Sequence, residues 1–203
     1  MEFRLNKPIV WSRNDALFRS LVGEGHAWQN LPFIFLKLSG FDVEMPELSI
    51  RDDISEAGAW LDTYDLRIGD LHIEVKSRPF AFTSPADWPR NRAPAFVDTK
   101  KKWDAKTIKP FAYIFVSKAT GAMVATCGTE KASLRWGTRK TTDRVRNIRE
   151  TFYTVDLKYL VTMNRLVASL RKRQAEVHKS QQLYEILLCE RSSRPLILFI
   201  DGR

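Results

Sequence analysis

The chain is 203 residues long, 44% apolar and 28% charged, enough for one cored domain with an appendage and too apolar for a disordered chain. Its formal charge of +9 and pI near 9.7 favour a polyanionic partner. Its two cysteines, Cys127 and Cys189, have no metal-ligand spacing, and its longest apolar runs, residues 31–36 and 195–200, are too short to span a bilayer. With a polar N-terminus that lacks an apolar export segment, the expectation is a cytoplasmic, intracellular protein with reduced, half-buried cysteines and no membrane association.

Residues 14–39 carry Leu17, Leu21, Trp28, Leu31 and Phe35 at helical steps, with Gly40 as a C-terminal stop. Gly23, Gly25 and Pro32 predict a break near one of them. Residues 41–50 suggest a strand, with Pro46 at an edge or bulge, and residues 51–60 a polar connection. Residues 64–76 are the most informative stretch. Gly69-Asp70 closes a two-residue hairpin, with Gly supplying positive φ. Ile68 then faces Leu71, Arg67 faces His72, Leu66 faces Ile73, and Asp65 lies across from Glu74. Side chains alternate along a strand, so one face carries Leu66, Ile68, Leu71, Ile73 and Val75. The other carries Asp65, Arg67, His72, Glu74 and Lys76. Like charges directly opposite destabilise a ladder, and a divalent cation between Asp65 and Glu74 would account for the pair.

Four prolines, at 79, 85, 89 and 94, make residues 79–95 a long ordered loop around Phe80, Phe82, Trp88, Arg90 and Arg92. Residues 97–109 read as a short basic helix, 111–117 as a buried strand, Thr120-Gly121 as a turn, and 123–126 as another strand. Residues 129–150 are basic, with Lys131, Arg135, Trp136, Arg139, Lys140, Arg144, Arg146 and Arg149. Asp156 is a good N-cap for a long helix, its apolar face formed by Leu157, Leu160, Met163, Val167 and Leu170 and continued by Leu183, Leu187 and Leu188. Residues 195–200 suggest a final strand.

Asp65 followed by Glu74-Val75-Lys76 resembles the signature of the PD-(D/E)XK nuclease superfamily, with Tyr64 standing where the motif has proline. Helix, three strands, helix, strand over residues 15–127 matches that family's αβββαβ order. The resemblance implies an α/β fold with a mixed central sheet flanked by helices. Residues 1–128 would form the nuclease core and 129–203 a basic, mainly helical extension. It implies that Asp65, Glu74 and the Val75 carbonyl bind Mg²⁺ or Mn²⁺, that Lys76 orients water and stabilises charge on the phosphate, and that Glu24 of the first helix joins the metal site. It also places Lys100 and Lys101 near the substrate phosphate, whereas His72 reads as a neighbour of the acidic pair.

Trp88 with Arg90 and Arg92 could contact nucleic acid or form a lid on the core. Arg135, Arg139, Lys140, Arg144 and Arg146, with Arg165, Arg171, Lys172 and Arg173, form the expected electrostatic footprint. The apolar stripe of the last helix would dock on the core or pair with a second copy as a homodimer. The expected activity is a metal-dependent deoxyribonuclease. An RNA-processing nuclease and a non-catalytic nucleic-acid-binding protein on the same fold are the alternatives, and Asp65, Glu74 and Lys76 as a plain salt-bridged surface is the simplest rival.

Overall fold

The computed structural model describes residues 13–46, 64–143 and 148–192. The expected connection at 51–60, the final strand at 195–200, and Arg144 and Arg146 lie outside them. Residues 1–163 and 164–203 form two compact units.

In the first unit, α1 (Arg13–Leu38) runs unbroken through Gly23, Gly25 and Pro32. The predicted break is absent; tertiary burial outweighs helix propensity here, and Pro32 is itself buried. Gly40, at φ +88°, ends the helix. Of the strand expected at 41–50, the described part is one antiparallel bridge, Glu44 to Arg67.

β1 (Leu66–Ile68) and β2 (Leu71–Arg78) form the hairpin in the register read from the sequence: Leu66 opposite Ile73, Arg67 opposite His72, Ile68 opposite Leu71. Gly69 takes φ +54° in the turn. β4 (Ala112–Ser117) lies parallel to β2, while β5 (Met123–Cys127) runs antiparallel to β4. A short β8 (Val161–Thr162) completes a sheet of order β1-β2-β4-β5-β8. This is a mixed α/β fold with a mixed-orientation sheet flanked by helices.

A second, antiparallel sheet was not foreseen. β3 (Ala95–Thr99) pairs with β7 (Ile148–Val155), and β7 with β6 (Gly137–Asp143). The helix expected from residue 97 therefore begins only at α2 (Lys100–Ala105), where the Thr99 side chain caps the Lys102 amide. The basic stretch after residue 129 opens with the single turn of α3 (Glu130–Ser133) and then supplies β6 and the start of β7 to the second sheet. The extension of residues 129–203, expected to be mainly helical and packed on the core, carries β6, β7 and β8 ahead of its helical part. Asp156 caps only a one-turn 3-10 helix, Leu157–Tyr159.

The sheets explain what is buried. α1 packs against β2 and β4. The opposite side of the larger sheet contributes Tyr113, Phe115 and Val124 to a core completed by Ala95, Val97 and Val155 of the second sheet with Phe82, Trp88, Trp103 and Leu160. Glu74 pairs with Tyr113, and Lys76 with Phe115, in the parallel ladder, so the polar face of the hairpin lies on this covered side.

The described part of the second unit is the helix α4 (Met163–Ser192). Its residues 171–182 are exposed all round. No described helix is long and apolar enough to cross a membrane.

Candidate active site

The site begins at Asp65, just ahead of β1. Asp65 N–H donates to the Ile73 carbonyl at 3.2 Å. At the next position along β2, the Val75 N–H is taken by the Asp65 carboxylate itself, at 2.6 Å to Oδ2. Asp65 Oδ1 accepts from Gln29 Nε2 of α1 at 2.9 Å. The N–H and C=O of one residue lie on the same edge of a strand, so the Val75 carbonyl shares the Asp65 edge.

Glu74 is 2% exposed. Its Oε2 accepts from Lys76 Nζ at 2.9 Å, and its Oε1 from the buried Lys106 Nζ. Lys106 is the residue that ends α2. Its place is fixed by Lys109, whose Nζ donates to the carbonyls of Trp103, Asp104 and Lys106 at 2.8, 3.1 and 2.7 Å, a cation on the unpaired carbonyls of a helix end. Asp98 of β3 is also buried; its Oδ2 accepts from Tyr113 Oη at 3.2 Å and its Oδ1 from Thr99 N–H.

The electrostatics follow from this crowding. Burial, and next the Glu74 charge, push the Asp65 pKa up to about 6, against Lys76, the Val75 N–H and Lys102. Burial would raise Glu74 too, but Lys76, Lys102 and Lys106 outweigh it and hold its pKa at about 2. Burial disfavours the Lys76 ammonium, yet Glu74, Asp98 and Asp65 together raise its pKa well above the ordinary lysine value. Lys76 is therefore a fixed cation.

The donor set suits a hard divalent ion. Asp65, Glu74 and the Val75 carbonyl offer oxygen only, and Mg²⁺ commonly binds through one or two carboxylates while keeping waters. Each carboxylate oxygen accepts one protein donor and retains a second lone-pair direction. The repulsion that raises the Asp65 pKa is what a cation would relieve. Among the described residues no group of three or more His, Cys, Asp or Glu side chains is placed to share a metal.

Several expected residues stand elsewhere. Glu24 pairs with Lys118 rather than with the acidic pair; Gln29 is the α1 residue that reaches Asp65. Lys100 pairs with Asp104, Lys101 is exposed, and the lysine of α2 that acts on Asp65 and Glu74 is Lys102. Trp88 is 2% exposed, ring to ring with Phe80, Phe82 and Phe115. It is a lid residue packed on the core, closed to base stacking, whereas Arg90 and Arg92 beside it are exposed. His72 is buried with its ring 4.8 Å from Tyr64. Arg135, Arg139 and Lys140 are exposed, as is Cys127, which was expected half-buried.

Sequence reasoning missed Lys106 and Gln29. Lys106 is one of several lysines in residues 100–109, and only the end of α2 after Ala105 selects it. Gln29→Leu should cost about 1.5–3 kcal/mol, the worth of a hydrogen bond to a charged group. Glu24→Gln, removing an exposed pair, should leave the unfolding midpoint close to that of the wild type. Urea unfolding of the two variants checks this ordering. Comparison with protein-family models, curated proteins and solved structures gave no match to this chain.

Proposed function

We propose that this protein is a nuclease of the PD-(D/E)XK type, using Mg²⁺ or Mn²⁺ to hydrolyse DNA phosphodiester bonds. One observation carries the reading: the Asp65 carboxylate binds the Val75 N–H, beside a buried Glu74 that is itself hydrogen-bonded to Lys76. The order α1, the Glu44 bridge, β1, β2, α2 and a β4 parallel to β2, with β3 of the second sheet inserted before α2, supports it.

Asp65, Glu74 and the Val75 carbonyl would hold the cation. When bound, that cation supplies Lewis-acid polarisation of the phosphate and a more acidic water. Lys76, fixed as an ammonium, stabilises the negative charge that develops on the phosphate oxygens. Gln29 and the Val75 N–H hold the Asp65 carboxylate in one orientation, and Lys106 and Lys76 do the same for Glu74. Pre-set geometry of this kind avoids reorganisation during the reaction.

A second reading is a nucleic-acid-binding protein without catalysis. It is favoured by the buried Lys106 on Glu74, which neutralises a carboxylate that a metal would otherwise need. The test is cleavage of supercoiled plasmid, linear duplex and single strands with Mg²⁺, Mn²⁺ or EDTA at low salt, by wild type and Lys76→Ala. Cutting that needs metal and disappears in the variant supports the nuclease. Binding to every substrate without cutting any would move the weight to the non-catalytic protein.

A further inference from the structure

The second sheet is not three strands wide throughout. β3 covers β7 only from Phe152 to Val155. Beyond that the β6–β7 hairpin continues as two strands alone, through the pairs Lys140–Thr151, Thr141–Glu150, Thr142–Arg149 and Asp143–Ile148. At about 3.4 Å per residue this projection extends roughly 14 Å. None of residues 137–142 or 149–153 is buried. Anchored at its base by the three-stranded part, this stretch buries none of its described side chains and leaves its faces to solvent or a partner.

The charge on the ribbon is asymmetric. Alternation puts Lys140 and Arg149 on one face and Glu150 on the other. The Lys140–Arg149 face is also that of Tyr153, whose hydroxyl donates to Asp104 of α2 at 2.9 Å and whose ring lies 5.4 Å from Lys100 Nζ. The basic face is thus continuous with the helix that carries Lys102 and ends at Lys106.

We propose that the β6–β7 projection is a groove-binding ribbon for B-form duplex DNA, bringing a double helix to the Asp65–Glu74–Lys76 site. It rests on the nucleic-acid reading above and adds the class of substrate. The major groove of B-form DNA, about 12 Å wide and 8.5 Å deep, admits a two-stranded ribbon. The deep, narrow major groove of double-stranded RNA does not. A single strand offers no groove, and the ribbon's described residues carry no exposed aromatic ladder on which its bases would stack.

The experiment measures binding by fluorescence anisotropy in EDTA, so that cleavage plays no part. Wild-type protein and the double variant Lys140→Gln, Arg149→Gln are titrated with a DNA duplex, one of its single strands, and an RNA duplex of the same sequence. Both residues are exposed, and unchanged thermal melting confirms an intact fold. The variant should lose about 10-fold in duplex DNA affinity, and its log–log salt slope should fall by about 2, near one per phosphate contact. Single-strand and RNA affinities should stay within about 2-fold. Equal losses on all three ligands would reduce the ribbon to general electrostatics, and no loss on duplex DNA would remove it from the interface; either overturns the proposal. Failure of the cleavage assay with duplex-specific loss intact would remove the nuclease and leave the ribbon.

Discussion

Glu74→Ala should destabilise the protein by about 3–5 kcal/mol, while Glu74→Gln, which keeps a hydrogen-bond acceptor but not the charge, should lose less. The reason is Lys106. Its side chain is 4% exposed and its ammonium rests on Glu74 Oε1. Removing the carboxylate leaves a buried charge without its counter-ion, and breaking one side of a buried pair has a large effect even where the intact pair contributes little. Glutamine keeps an acceptor oxygen for Nζ; alanine keeps none. Lys106→Met in the Glu74→Ala background should then recover much of the loss. The double-mutant cycle measured by urea unfolding should be non-additive by about 1–3 kcal/mol. If Glu74→Ala is as stable as wild type, Lys106 does not depend on Glu74 as described. Alanine substitution at Glu74 alone is accordingly a poor probe of catalysis, because lost folding and lost chemistry look alike in a cleavage assay.

What the sequence disclosed about this site, and what it withheld, follows from how local each interaction is. The β1–β2 hairpin was legible because a glycine turn and strict alternation lie within thirteen consecutive residues; the ladder closes at Leu66–Ile73, and Asp65 reaches the Val75 N–H with its side chain. β3 was not. Phe96 pairs with Thr154 and Thr99 with Phe152, partners more than fifty positions away, and Lys100 to Lys102 extend the helical texture of α2 back across the boundary. The same distance hid the burial of Glu74. Alternation shows which face a side chain takes but not what covers that face, and here the second sheet and its aromatic residues do. Trp88 illustrates the converse: an aromatic residue beside two exposed arginines suggests a stacking platform, yet Phe82 and Phe115 enclose it. Gln29 could only be found by knowing how α1 lies against the hairpin.

The acidic pair also sets a pH-dependent tension in the fold. In the protein without metal, Asp65 has its pKa raised from 3.8 to about 6 by burial and by Glu74. A raised carboxylate pKa means that the folded state binds the proton more tightly than the unfolded chain. The contribution of Asp65 to stability is therefore full below about pH 4, falls as pH rises toward 6, and stays lost above it. Glu74 works in the opposite sense: its pKa of about 2 makes its contribution full above the unfolded value of 4.5 and lost as pH falls toward 2. At pH 8 the ionised Asp65, still partly in contact with solvent, opposes folding by about 1–2 kcal/mol. Asp65→Asn should remove that penalty while its amide oxygen still accepts from the Val75 N–H. The variant should therefore melt roughly 3–6 °C above wild type at pH 8 in EDTA, about equal to it near pH 4, and cut no DNA. Adding Mn²⁺ at pH 8 should raise the wild-type midpoint and leave the variant nearly unchanged, because the ion then supplies in the wild type what the substitution supplies without it. A variant less stable than wild type at pH 8 would mean that Asp65 is held by its hydrogen bonds more strongly than it is opposed by Glu74. The site would then be a structural clasp rather than a carboxylate pair kept apart for a cation.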